Sequence, residues 1–378
     1  MNNIAETKEN SFPRDFMPSR ATILGVARSG MAAATFLDNN GCKVFLSDCG
    51  DAGKIELMLA ANKLAHLPHE AGGHTERALD CDVVILSPGV PSDIPILKQA
   101  HQRGIPVWSE LELGFRMSCA PWCSITGSTG KSTTTSLLGR IMESANIEHV
   151  VAGNIGLPVT RVAPAISAEG WVVAEVSSFQ LENIDLFRPR VAAVLNLMKN
   201  HLDRYPSEND YYNAKKAIMK NMADNDTIVL NACDPLLAAW SRDIDKRIRI
   251  TYFGANVAGN ESVWVEDNRL MARFGDIRGS IANLSTMKLK GEHNRLNAAA
   301  AAAMALAAGI KPEAVGRGLC TFAGLPHRLE WVRTIDSMAF YNDSKATTAE
   351  SIRCALEAFD ANVHLIAGGR DKGCDFEA

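Results

Sequence analysis

The chain has 378 residues, 47% of them apolar and 22% charged, with a formal net charge of −4 at pH 7. This is the composition of a folded globular protein and excludes a disordered chain. The charge balance carries no basic footprint for nucleic acid, and no apolar run approaches the ~18 residues that span a bilayer.

Residues 1 to about 18 read as a polar, loose leader without the apolar core of a signal peptide. The nine cysteines are scattered and form no CxxC pair, which fits reduced thiols in a cytoplasmic protein. Ala21 to Gly30 reads as a strand running into a glycine-containing turn, followed by a helix from Met31 to Asn39. Lys43–Asp48 and Asp82–Gly89 read as further buried strands. Strands alternating with helices point to a parallel sheet covered on both faces. This first domain is expected to end near Leu113.

A second domain opens with a strand at Trp122–Thr126, a glycine-rich loop, and a helix from Ser132 to about Ser144. Trp171–Val176, Val191–Asn196 and Thr227–Asn231 read as strands, and Asn209–Asn221 as a helix. Residues 247–290 alternate in shorter runs that suit an antiparallel edge. Asn294–Ala308 reads as a helix stopped by Gly309, and its alanine run, Ala298–Ala303, is explained by close packing alone. A third domain starts near Gly324. It holds a strand at Met338–Tyr341, a helix over about Ala349–Phe359 and a strand at Val363–Ala367. So few elements are hard to stabilise alone, and the reading expects a chain cut short within this domain.

The loop Gly127-Ser-Thr-Gly-Lys-Ser132 lies between a strand and a helix. Backbone N–H groups and the helix N-terminus favour phosphate oxygens there, Lys131 can reach the outer phosphates, and the Ser132 hydroxyl can bind Mg²⁺. A turn with an exposed lysine is the plainer alternative. Glu175 ends an apolar strand, where a charge is costly unless paired or metal-bound; a buried ion pair is the alternative. His201 follows another apolar strand at the equivalent sheet end, although a lone loop histidine is more often structural. Lys215 and Lys216 on the next helix read by themselves as a solvated basic face. The turn Gly25–Gly30, with Asp48 at the end of the following strand, fits a nucleotide diphosphate but is not GxGxxG. On that weaker signal, a nicotinamide oxidoreductase stays open as an alternative.

Seven strings occur in order: ITGSTGKSTT (125–134), GNIGLP (153–158), EVSSFQLE (175–182), LNLMKNHLDRYPS (195–207), GEHNRLNAAAA (291–301), TFAGLPHRLE (321–330) and NDSKATT (342–348). Together they resemble the Mur ligases, and within them the D-glutamate-adding branch. The resemblance implies an α/β protein of three domains. These are a Rossmann-like UDP-substrate domain (1–113), a P-loop-type ATP-binding domain with a mostly parallel sheet (114–323), and an incomplete Rossmann-like amino-acid-binding domain (324–378). It implies ATP-dependent amide ligation in the cytoplasm by a monomer. The substrates would be UDP-N-acetylmuramoyl-L-alanine, D-glutamate and ATP, without nucleic acid or membrane.

By the same resemblance Gly127, Ser128, Thr129, Gly130, Lys131, Ser132, Thr133, Asn294, Arg328 and Asp343 would contact ATP. Ser132 would hold one Mg²⁺, and Glu175 with His201 a second. Lys216 would be carbamylated and support the metal site, with Lys215 its neighbour. Gly25, Ala27, Arg28, Ser29, Asp48, Ser87, Pro88, Gly89, Asn154, Lys345, Thr347 and Lys372 would bind the sugar-peptide or amino-acid substrates. Thr129 stands where the family usually has asparagine. The alternatives are a sibling ligase of folylpolyglutamate type or a non-catalytic nucleotide-binding remnant.

Overall fold

The computed structural model describes residues 17–201, 204–346, 349–359 and 362–369. The chain packs into two compact units. The first comprises the residues up to Thr126 with Glu148–Ala192 and Lys199–Asp226. The second comprises Gly127–Ile147, Ala193–Met198 and the residues from Thr227 onward.

The first unit begins with β1 (Arg20–Leu24), α1 (Arg28–Asn39), β2 (Lys43–Ser47), α2 (Ala52–Ala61), β3 (His69–Glu70), β4 (Val83–Leu86), α3 (Pro95–Gln102), β5 (Val107–Ser109) and α4 (Glu110–Arg116). The five strands form one sheet in the order β3-β2-β1-β4-β5, with every pairing parallel. β1 and β4 are central, and their apolar runs are buried on both faces, as a helix-covered parallel sheet requires. α1 lies very close to the β1 turn: a Cβ on Gly30 would sit 1.9 Å from the Gly25 carbonyl oxygen, so only glycine permits this approach. A core of Ile23, Val44, Leu46, Ile85, Leu37 and Leu59 fills one face of the sheet.

The chain continues with β6 (Trp122–Thr126), α5 (Lys131–Ser144), β7 (His149–Gly153), α6 (Val159–Val162), β8 (Trp171–Glu175), α7 (Ser178–Leu181), β9 (Val191–Val194) and α8 (Glu208–Lys216). In the first unit β8 pairs in parallel with both β6 and β7. Trp122, Phe187 and Phe115 pack edge to face behind these strands. β9 runs from the first unit into the second.

The second unit contains α5, then β10 (Thr227–Asn231), α9 (Pro235–Trp240), β11 (Arg249–Phe253), β12 (Glu261–Glu266), β13 (Arg269–Phe274), β14 (Ile277–Asn283), α10 (Glu292–Ala307), α11 (Pro312–Thr321), β15 (Glu330–Ile335), β16 (Met338–Asn342) and α12 (Ala349–Leu356). The region expected to be antiparallel is so only in part: β10, β11 and β12 run parallel, and β12, β13 and β14 antiparallel. Short alternating runs do not reveal direction, which the connections set. Ala298–Ala303 are all fully buried, as α10 packs against α5 and β10 to β12; alanine permits that approach.

β15 and β16 pair antiparallel as a two-stranded hairpin. The strand expected at Val363–Ala367 does not form: residues 362–369 pair with no strand among the described residues, and Leu365 and Ile366 are exposed. An apolar run becomes a strand only when a neighbour supplies the ladder.

Parallel strands place functional loops at their carboxyl ends. Here those ends carry the Gly25 turn after β1, Ser87 after β4, the phosphate loop after β6 and Glu175 at the tip of β8.

Candidate active site

In the first unit, Ala27, Arg28, Ser29, Ser87, Pro88, Gly89, Gly153, Asn154 and Gln180 line one pocket. Seven of the expected substrate residues meet there. No side chain caps the N-terminus of α1, and the helix opens into this pocket through Ala27, Arg28 and Ser29. Uncapped helix N–H groups beside an arginine suit an anionic ligand such as a diphosphate.

Gly25 and Asp48 shape the pocket without lining it. Asp48 accepts from the backbone N–H of Val26 (2.7 Å) and of Gly50 (2.7 Å), and the Ser87 hydroxyl donates to the Gly25 carbonyl (2.6 Å). The Asp48 carboxylate, expected to bind substrate, is thus already engaged in holding the turn.

Asn154 joins this pocket to the end of β8. Its backbone N–H donates to the Glu175 carbonyl (2.9 Å) and its Nδ2 to Glu175 Oε1 (2.7 Å). Glu175 is 2% exposed, and its Oε2 is buried with no hydrogen-bond partner among the described residues. A buried carboxylate oxygen left in that state costs free energy unless a cation meets it. The donor set is hard oxygen, which suits Mg²⁺. Mg²⁺ is commonly held by one or two carboxylates, waters and substrate phosphates. Among the described residues no group of three or more His, Cys, Asp or Glu side chains forms a metal cluster. The buried, unpartnered carboxylate oxygen of Glu175 fits such an ion.

His201 follows β9 with φ of +55°, a left-handed backbone conformation uncommon outside glycine. Its ring lies edge-on to Phe179 (5.1 Å) and tilted against Tyr211 (5.7 Å). On α8 it is Lys215, not Lys216, that is enclosed. Lys215 is 1% exposed with its ammonium 4.4 Å from the Tyr211 ring centroid, whereas Lys216 is only partly buried. Helical geometry turns adjacent residues about 100° apart, and Tyr211 shares its face with the residue four positions on, Lys215. His201 and Lys215 thus contact the same tyrosine.

The second unit holds the phosphate loop. Gly130 sits at φ +79° before α5, where a Cβ would meet Asn297 Oδ1 at 2.4 Å. Lys131 Nζ folds onto the carbonyls of Gly127 (2.9 Å) and Ser128 (3.0 Å). Asn196 Oδ1 accepts from the N–H groups of Ser128 (3.1 Å) and Thr129 (2.9 Å), and the Ser128 hydroxyl donates to the Met198 carbonyl (3.0 Å). Asn196 and Asn297 were missed by motif reading, although both lie inside the strings quoted above. Ser132 follows Lys131 in the first turn of α5.

Thr129, Gly130, Thr133, Asn294, Arg328 and Asp343, all expected ATP contacts, line one pocket of this unit with Phe253, Leu289 and His293. Burial pushes His293 below its ordinary value against the opposing pull of Asp343, Glu357 and Glu292. A neutral imidazole with apolar walls and an arginine suits a base and its phosphates. Asp343 Oδ1 also accepts from the Leu329 N–H (3.0 Å). Lys345 is exposed and does not line the pocket. Thr347 and Lys372 lie outside the described residues.

Two family models match the chain: the Mur ligase middle domain over residues 125–305 and the MurD N-terminal domain over residues 20–95. The UDP-N-acetylmuramoylalanine–D-glutamate ligase of Koribacter versatilis is 38% identical over 367 residues, 96% of this chain and 80% of the relative. The enzyme of the same name from Salinibacter ruber is 40% identical over 375 residues, again 96% of this chain and 80% of the relative. This chain belongs to the Mur ligase family, in the D-glutamate ligase branch. Solved Mur ligases share the fold. The UDP-N-acetylmuramate–alanine ligase MurC of Thermotoga maritima superposes with a TM-score of 0.56 at 22% identity, covering 90% of this chain and 77% of that one. A murein peptide ligase from Psychrobacter arcticus gives 0.57 at 17% identity, covering 89% and 75%. The α/β class expected of a Mur ligase is therefore present. Every described cysteine is a free thiol, and among the described residues no helix is long and apolar enough to cross a membrane.

Proposed function

We propose that this chain joins D-glutamate to UDP-N-acetylmuramoyl-L-alanine with hydrolysis of ATP, in the synthesis of peptidoglycan precursors. The observation that carries the reading is Glu175. It presents a buried oxygen without a hydrogen-bond partner, and Asn154, which holds its other oxygen, lines the pocket built by the first-unit substrate residues.

The chemistry begins when the L-alanine carboxylate attacks the γ-phosphorus of ATP, giving an acyl phosphate and ADP. The D-glutamate amine then attacks the acyl carbon, and inorganic phosphate leaves as the amide forms. Magnesium would supply charge neutralisation on the phosphoryl oxygens, one ion held by Ser132 and a second by Glu175 and His201. The backbone N–H groups of the phosphate loop and Lys131 would bind the phosphates. Lys131 then exchanges two loop carbonyls for phosphoryl oxygen. Asn294, Arg328 and Asp343 would orient the nucleotide, and Arg28 with the start of α1 the UDP diphosphate.

Carbamylation of a lysine on α8 belongs to this reading. Lys215 suits it better than Lys216, because a carbamate needs an enclosed amine beside the metal ligand, and Lys215 shares Tyr211 with His201. The division into 1–113, 114–323 and 324–378 is supported by the first sheet ending at Ser109 and by the separate β15–β16 hairpin. A monomer in the cytoplasm completes this reading.

Mass spectrometry of the nucleotide product tests the reading. Incubation with ATP, Mg²⁺, UDP-N-acetylmuramoyl-L-alanine and D-glutamate is expected to add one glutamate residue to the substrate. An unchanged substrate mass would refute it.

A further inference from the structure

The loop after β4 carries three residues of the substrate pocket, Ser87, Pro88 and Gly89. It is fastened at its far side by a residue that no catalytic role has yet used. Arg204 lies three positions after His201, and its guanidinium donates to the carbonyls of Pro88 (3.3 Å) and Val90 (3.2 Å). The same group stacks over Phe179, 4.1 Å from the ring centroid, and reaches Glu182 Oε2 at 3.5 Å. Glu182 in turn accepts from the Tyr205 and Ser92 hydroxyls. Phe179 meets the His201 ring on its edge and stacks with Tyr205.

We infer that Arg204 is a positioning residue that sets the pocket wall at Pro88–Val90 and the seat of His201 through one guanidinium. This rests on the functional reading above and goes beyond it. Three features favour a designed clamp over a surface arginine. The side chain is only 19% exposed, its guanidinium lies over an aromatic ring, and its edge donates to two carbonyls of one loop. A planar fork suits two adjacent carbonyls in a way that a lysine ammonium does not reproduce. Glu182 restrains the arginine and ties Ser92, on the same loop, to Tyr205. Loss of the clamp leaves the loop's backbone to wander, and a pocket wall misplaced by about 1 Å weakens a ligand without touching it.

The test is calorimetric binding of UDP-N-acetylmuramoyl-L-alanine to the full chain without Mg²⁺, so that the readout is independent of turnover. Arg204→Met keeps an apolar stem against Phe179 and removes the donors. It is expected to raise Kd for this substrate about tenfold, with Tm and ADP affinity unchanged; Arg204→Lys is expected to recover only part of the loss. Equal substrate affinity in Arg204→Met and the unaltered chain overturns the inference alone. So does a substrate loss matched by an equal loss of ADP affinity and a lowered Tm, because the residue would then be a general support of the fold. Absence of substrate binding by the unaltered chain overturns the functional reading and the inference with it.

Discussion

Asn154 Nδ2 holds Glu175 Oε1 at 2.7 Å and leaves Oε2 of the same carboxylate buried with no hydrogen-bond partner among the described residues. One oxygen is fixed and the other left without a partner, the arrangement that the proposed metal-ligand role of Glu175 requires. Glu175→Gln keeps the volume and removes the charge. It is expected to lower phosphate release on the order of 100-fold or more while leaving Tm unchanged or higher, since a desolvated charge is gone. Steady-state kinetics and thermal unfolding check both halves.

Gly130 tests the phosphate loop. Gly130→Ala places a methyl 2.4 Å from Asn297 Oδ1 at a backbone φ of +79°. The loop must distort, at a cost of ~2 kcal/mol in stability, and the ATP KM is expected to rise at least ~10-fold. Chemical denaturation and an ATP titration measure the two effects.

The lysine pair on α8 separates cleanly. Lys215→Gln is expected to abolish turnover and Lys216→Gln to reduce it only a few-fold. With ¹³C-labelled bicarbonate, a carbamate signal in the NMR spectrum is expected from the unaltered chain and from Lys216→Gln, but not from Lys215→Gln.

Glu110 gives a pH dependence unrelated to the reaction. It is 1% exposed and accepts from the backbone N–H (2.8 Å) and hydroxyl (2.7 Å) of Thr160. Burial nevertheless pushes its carboxyl from 4.5 up to about 7, against the pull of Thr160 and Arg28. The folded state therefore holds this proton more tightly than the unfolded state. Its stabilising contribution is complete below the unfolded value of 4.5 and is lost as pH rises through 7. A shift of that size corresponds to roughly 3 kcal/mol. Glu110→Gln is expected to flatten the fall in stability between pH 5 and pH 8, measured by urea unfolding at each pH.

Much of this was legible in the sequence. The phosphate loop and Glu175 stand at strand ends, where apolar runs stop at a charged or glycine-rich tip, His201 lies in the loop beyond β9, and Thr227–Asn231 forms as read. Ala27, Arg28, Ser29, Ser87, Pro88, Gly89 and Asn154 came from motif resemblance, and the fold brings them to one pocket. What could not be read is packing. Asp48 looks free in sequence but holds the Gly25 turn, and Lys215 and Lys216 differ only in which way α8 faces. The directions of β11 and β12 follow from connections rather than composition. Arg204 was hidden for the same reason: its partners Pro88 and Val90 lie over a hundred residues away.

The central claim is an ATP-dependent ligase specific for D-glutamate. The most direct measurement is inorganic phosphate release by the purified chain with ATP, Mg²⁺ and UDP-N-acetylmuramoyl-L-alanine, with and without D-glutamate. Release that requires D-glutamate, and that L-glutamate does not support, is the expected result. ATP binding with no D-glutamate-dependent release would contradict the account.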